Sequence, residues 1–587
     1  MERVWMGNVW RAVTCLLGST ALVGVFAATA LSEELLRVSE PAGGGALDAD
    51  ILFARPNANG DVVLLLTQAS NLVEGDRNGK GDVFVVDLAA GTKERVSISF
   101  LGRDPNDGSY PGVLSDDGNL AVFGSAANNL VTGDFNRTPD LFLFDRTLRR
   151  TTVLTLVNEG LGGGTVPDLP PASSPDARWI AFASQSDDFV ENDRNEASDV
   201  FVLDRVTGSI EAVTLTRLGA TEVRTANGPS AGPAISIDGC IVAFFSDATN
   251  LVERDRNQAR DVFVRDRCAG TIERVSVATD GSEANGPSQA ELATLALSGD
   301  GRFVAFTSRA TNLDGDTGRQ SQIFLRDRAE GTTRLVSRNQ SGDIANAPSV
   351  SPSLDREGRF LVFQSSATNL TSDDLWPGED VFVVDLTDGE VRLLSRPSGG
   401  GAPDGDSYAP SISADGSRVV FLSAARLSPS DTDSRVDAYL VSNPMFGKPP
   451  GGVTPTPVEP TPEDTPTPEP TPTATDTPRP TSTPSPSPTR EPSLTPTSPP
   501  APTPTHEPSP SATLTATATV VTPAPTATRT TGAVTPSPTS SGGGGGGGDG
   551  CSCRVDPENG RPSSGPASGW ALAPLAVWWW RKRLARR

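Results

Sequence analysis

The most regularly spaced acids in this chain follow the pattern D-x-N-x-x-x-D. It occurs as Asp76, Asn78 and Asp82, as Asp134, Asn136 and Asp140, as Asp193, Asn195 and Asp199, and as Asp255, Asn257 and Asp261. Asp431, Asp433 and Asp437 form a close variant. Oxygen donors at alternating loop positions suit a hard cation such as Ca²⁺, and these residues are the candidate metal ligands. The fifth position weighs against metal. It is Lys80, Thr138, Ala197, Ala259 or Arg435, none of them a carboxylate, and no bidentate Glu closes the loop. The same residues also read as polar hairpin loops, with Asp and Asn bonding their own backbone. Asn71, Asn129, Asn250, Asn312 and Asn369 each precede a Leu. There the Asn is expected to turn the chain and the Leu to plug the core.

Other chemistry is thinly supplied. The single histidine is His506, inside a Pro/Thr tract, so the repeats hold no Ser-His-Asp triad and no His-rich metal site. No catalytic residue and no organic cofactor is expected. A pair of carboxylates for hydrolysis of a polysaccharide or peptide stays open as the alternative. Acids that recur at repeated positions are better explained by the repeat itself. The formal charge of −23 argues against a nucleic-acid partner, which needs Lys and Arg on the protein side.

The elements that must position these residues come from a unit of about 60 residues repeated before position 445. Its anchors are Gly60, Gly118, Ala177, Gly239, Gly301, Gly358 and Gly416. Each unit has a V-A-F-like run, apolar on both faces, such as Val304-Ala305-Phe306. Such a strand is covered on both sides. A D-V-F-V-x-D run follows, as in Asp261–Asp266. Shorter P-S-I-S-like and R-V-S-like strands flank the two. Four strands per unit in seven units predict an all-β, seven-bladed β-propeller. The last unit lacks its R-V-S strand, and Leu36-Arg37-Val38-Ser39 supplies an orphan copy. Ring closure by that N-terminal strand is expected, because it removes an open sheet edge. Cys240 opens one strand and Cys268 follows its neighbour. Antiparallel pairing would bring them together as a disulfide; two free thiols are the other reading.

The S-x-D-G-R-x-V-A-F … D-V-F-V-x-D-R-x-x-G-T-x-R-V-S pattern resembles the TolB-type, WD-like β-propeller repeats of exported bacterial proteins. The resemblance covers about 400 residues and every unit. It implies fold more than function, since such propellers serve as binding scaffolds and as accessory domains of peptidases. The chain departs from TolB in having no separate N-terminal α/β domain and in its long C-terminal extension.

The flanking segments set expectations about location. Residues 1–30 read as a signal peptide, with Arg3 and Arg11 before an apolar stretch and Ala28-Thr29-Ala30 as cleavage site. Residues 31–445 are the propeller. Residues 446–541 are rich in Pro, Thr and Ser, a composition of disordered, extended stalks. Residues 542–587 carry a glycine run, Cys551 and Cys553, a short apolar run and a basic end. That layout resembles the C-terminal sorting signals of Gram-negative bacteria, especially the Cys-containing myxobacterial type. The resemblance implies Cys551 or Cys553 as the processing or lipidation site. Together these features point to a non-enzymatic binding or scaffold propeller, exported and held at the cell surface or outer membrane, with a protein or glycan ligand.

Overall fold

Seven four-stranded antiparallel sheets and one additional two-stranded hairpin account for all strands among the described residues. The structure, a computed structural model, describes residues 35–449 apart from 137, 156–168, 192, 194, 219–221, 254 and 290–293. The expected signal peptide, all but the first few residues of the expected stalk, and the C-terminal segment with Cys551 and Cys553 lie outside the described residues.

Each blade runs from an inner first strand to an outer fourth strand, in chain order in every blade but the last. In the first blade these are Ile51–Pro56, Val62–Thr67, Asp82–Asp87 and Thr92–Arg95. The second and third strands are buried along nearly their whole length, as the double-sided apolar runs require. Register places the aromatic residue of one directly opposite that of the other: Phe123 faces Phe142, Phe306 faces Phe324 and Phe421 faces Tyr439. These pairs stack at 6.0–6.2 Å between ring centroids, and all six rings are fully buried. Cross-strand aromatic pairs add stability beyond their buried area.

Neighbouring blades are tied by the arginine that follows the third strand. Arg146 donates to Glu94 of the preceding blade at 2.6 Å and to the Gly118 carbonyl at 2.9 Å. Arg328 repeats this with Glu273 and Gly301. The anchor glycines allow the close approach. Gly239 has φ +75°, and a Cβ there would sit 2.3 Å from the Trp179 ring. Both the left-handed backbone and the contact require glycine.

The ring is closed as the orphan strand predicts. Leu36 pairs with Leu440 and Arg37 with Tyr439, so Leu36–Arg37 is the fourth strand of the last blade. The Val38 N–H continues the ladder to the Ala438 carbonyl at 2.8 Å. A second seam runs round the inner turns. The N–H of Asp116 donates to Pro175, Ile237 to Gly299, Gly299 to Arg356, Arg356 to Ala414, and Asp415 to Ala58. The last of these joins the seventh blade to the first. Pro175 has no N–H to give, and the link from it to Ile237 is missing for that reason.

Cys240 and Cys268 are brought to disulfide geometry, with Cα atoms 5.3 Å apart. The pairing follows from register, since Ile241 lies opposite Asp266. The bond closes a loop with a sequence separation of 28. By chain entropy it is worth about 3–4 kcal/mol. Thermal unfolding with and without reductant should therefore show a lower Tm in the reduced protein. Cys240→Ser with Cys268→Ser should match the reduced form and lose any response to reductant.

Candidate functional site

The repeated acids sit in the loop between the second and third strands and at the first residue of the third, and their hydrogen bonds are specific. The Ser97 hydroxyl donates to Asp82 Oδ1 at 2.6 Å and accepts the Val83 N–H at 3.0 Å. The same hydroxyl–carboxylate bond recurs as Thr155–Asp140 at 2.8 Å, Ser276–Asp261 at 2.5 Å, Ser395–Asp380 at 2.6 Å and Ser39–Asp437 at 2.6 Å. Thr214 donates likewise to Asp199. The middle Asn serves the same acid. Asn78, Asn136, Asn195 and Asn257 each donate Nδ2–H to Oδ2 of the third motif residue at 2.6–2.9 Å. Their own Oδ1 accepts the N–H two residues on, closing an Asx-turn. The motif thus builds its loop, and the Asn turns an amide N–H toward the acid. Burial pushes Asp82, Asp140 and Asp199 up to about 6 and Asp380 up to about 7.

What faces the acid pair differs among blades. In the first, Arg95 Nη1 lies 3.0 Å from Asp76 and 3.4 Å from Asp82. In the fourth, Arg274 Nη1 lies 3.2 Å from Asp255 and 3.3 Å from Asp261. In the seventh, Arg37 Nη2 lies 2.9 Å from Asp437. These are the arginines of the R-V-S strand, so a guanidinium stands between the candidate ligands in those blades. Asp431, Asp433 and Asp437 come within 4.8 Å of one another, but the Tyr439 hydroxyl also binds Asp431 at 2.6 Å. The Asn of each Asn-Leu pair differs from expectation in its partners. Asn129 and Asn369 accept N–H groups from Asn106 and Asn346, 23 residues earlier, rather than turning their own loop. Leu130 and Leu370 are buried as plugs.

The inner strands of all seven blades converge on a central cavity of about 350 Å³. Its wall is blunted. Pro111, Pro233, Pro352 and Pro410 occupy the inner strands, where a missing N–H is tolerated because no strand pairs on that side. Bulges mark the same places, with register shifts at Ala231/Ala234, Val350/Ser353 and Tyr408/Ser411. Such a wall gives few N–H donors for adding a strand.

The charged groups of this cavity are few and uneven. Arg356 of the sixth blade reaches across one mouth to Asp116 of the second, with Nη2 at 2.7 and 2.6 Å from the two carboxylate oxygens. Asp116 is the one acid lining the cavity among the described residues. The side chain of Arg55, on the inner strand of the first blade, makes no hydrogen bond or ion pair with any described residue. It keeps partial solvent contact inside the cavity, and burial among the blades lowers its pKa. Neither Arg55 nor the Asp116–Arg356 pair stood out in the sequence. Arg55 lies in the run Ile51–Pro56, which departs from the repeat, and that departure was the available signal.

A seven-bladed β-propeller is therefore the class this fold defines. No protein-family model matches the chain, and no curated protein matches it. Solved structures do. Oligogalacturonate lyase from Vibrio parahaemolyticus is 13% identical, with 70% of this chain and 94% of that one covered at a TM-score of 0.43. TolB from Acinetobacter baumannii is 16% identical, with 60% and 65% covered at 0.31. The β-propeller domain of the Trilobed protease from Pyrococcus furiosus, which has an open velcro topology, is 9% identical, with 67% and 95% covered at 0.41. These are likenesses of fold alone. The architecture of this chain rests on its own seven sheets and their closure.

Proposed function

We propose that this protein is a non-enzymatic binding propeller whose central cavity takes an anionic group of a protein or glycan ligand. The observation that carries this reading is Arg55, a cation without a partner in the place where all blades meet. In a chain of net charge −23, an arginine left unpaired is an unusual provision. A carboxylate or other anion would supply the charge-assisted hydrogen bonds it lacks. The alternative, a carboxylate-dependent hydrolase, needs two acids set apart for acid and base or nucleophile. Among the described residues the cavity has one acid, and Arg356 holds it. The display of the ring at a cell surface, by a signal at 1–30, a stalk at 446–541 and a sorting segment with Cys551 or Cys553, belongs to the same proposal and rests on sequence.

Equilibrium binding to immobilised acidic and neutral oligosaccharides and peptides tests the reading. The full chain is expected to prefer acidic ligands, and Arg55→Ala to weaken that binding at least tenfold while the fold persists. Equal binding by Arg55→Ala would remove the cavity from the account.

A further inference from the structure

The blades differ in one coordinated way. Where both motif acids face an R-V-S arginine, their charge is met inside the blade, as with Arg95, Arg274 and Arg37. In the fifth blade the arginine is replaced by Leu335, and the inner acid is replaced as well, by Gln322. Gln322 is satisfied by Ser337 and by the carbonyls of Ala345 and Ala347. The second and third blades break this balance. They keep Asp134 with Asp140 and Asp193 with Asp199, but the arginine position holds Val153 and Ala212.

The acids left behind are buried. Asp134 is 4% exposed, Asp193 6%, Asp140 0% and Asp199 1%. Asp140 and Asp199 are engaged by Thr155 and Thr214 and by the Asn amides. Asp134 and Asp193 each use one oxygen for the N–H of the motif Asn. The other, Oδ1, is buried and has no hydrogen-bond partner among the described residues. No cation among the described residues acts on either pair. An unpaired buried carboxylate is costly, and removal of that cost is what the arginine does in the other blades.

We propose that the second and third blades each bind a divalent cation of the calcium class, between Asp134 and Asp140 and between Asp193 and Asp199, in the position a guanidinium fills in the first and fourth. The donors are carboxylate oxygens, which favour a hard cation, and water completes the shell. With two protein carboxylates per site, affinity falls in the weak range of extracellular modules, about 10⁻⁴–10⁻³ M. The sixth blade is different. It also lacks the arginine, having Leu393 opposite Phe382, but its Asp374 is only half-buried, so water reaches that acid. The site is separate from the cavity and does not depend on the ligand proposed for it.

The test uses the full chain, freed of metal with chelator at pH 7.5. Millimolar Ca²⁺ should raise the Tm, and equilibrium dialysis should find one ion for each of the two blades. The double variant Val153→Arg with Ala212→Arg should bind neither ion. Its Tm in chelator should approach that of the calcium-loaded parent. Should the added arginines prevent folding, Asp134→Asn with Asp193→Asn serves instead, with Ca²⁺ response lost and stability in chelator kept or raised. A parent Tm indifferent to Ca²⁺, or a Ca²⁺ response undiminished in either double variant, overturns the proposal. So does equilibrium dialysis that finds no calcium bound to the parent chain.

Discussion

Arg37→Ala will detach the closing strand and cost about 3–5 kcal/mol, the range for breaking a buried pair by removing one partner. Arg37 lies on Asp437 with both side chains almost fully buried, at 2% and 0% exposure. It also holds the carbonyls of Gly45 and Ser430 at 3.1 and 3.0 Å. Loss of the guanidinium leaves Asp437 charged and uncompensated. It also frees a strand held to the third strand of that blade by only two paired residues and the Val38 N–H. The effect should exceed that of Arg95→Ala, which removes the same kind of pair but leaves chain connectivity to hold the first blade together. Thermal unfolding of both variants compares them. Limited proteolysis should cut Arg37→Ala near residues 40–46 before the parent. Equal losses in the two variants would mean that closure adds nothing to the ring.

Stability should rise as pH falls from 8 toward 5 in the presence of chelator, opposite to most acidic proteins held by salt bridges. Asp140 and Asp199 have folded pKa values raised to about 6 by burial. A carboxylate raised above its unfolded value stabilises fully below that value, and the contribution is lost as pH climbs through about 6. Each such group is worth on the order of 1–3 kcal/mol. Other acids set the lower limit. Hydrogen bonds from Arg178 hold Asp204 down at about 2, and Asp327 beside Arg302 is depressed as well. Their stabilisation is lost as pH falls below the ordinary carboxylate range. The maximum should therefore lie between about 4 and 6. Asp199→Asn carries the neutral form at every pH and should flatten the slope above pH 5. An unchanged slope in that variant would assign it to net charge instead.

Much of the ring was legible because its signals are local or repeated. The double-sided V-A-F run specifies a strand covered on both faces. The absent R-V-S strand after Asp437–Ser442 and its orphan copy at Leu36 specify closure. Cys240 and Cys268 follow from pairing one strand's start with its neighbour's end. The acids were legible as a motif but not as a network. The Arg95 guanidinium reaches Asp76 only once the fourth strand has paired with the third, and sequence spacing of the loop alone does not reveal it. The Asn residues of the Asn-Leu pairs find their partners on another segment of the blade, which local spacing does not mark. Asp116 and Arg356 are 240 residues apart and meet only across a closed ring. Arg55 has no counterpart in the repeat. The features that give the cavity its character are thus the ones that repeat logic averages away.

The most direct measurement is product analysis on the acidic ligand that the full chain binds best, incubated with excess protein and followed by mass spectrometry. The account predicts that the ligand is recovered intact, and that substitution of Arg55 lowers the amount retained. Cleaved product formed by the parent protein, and lost in Asp116→Asn, would contradict a binding propeller and establish an enzyme.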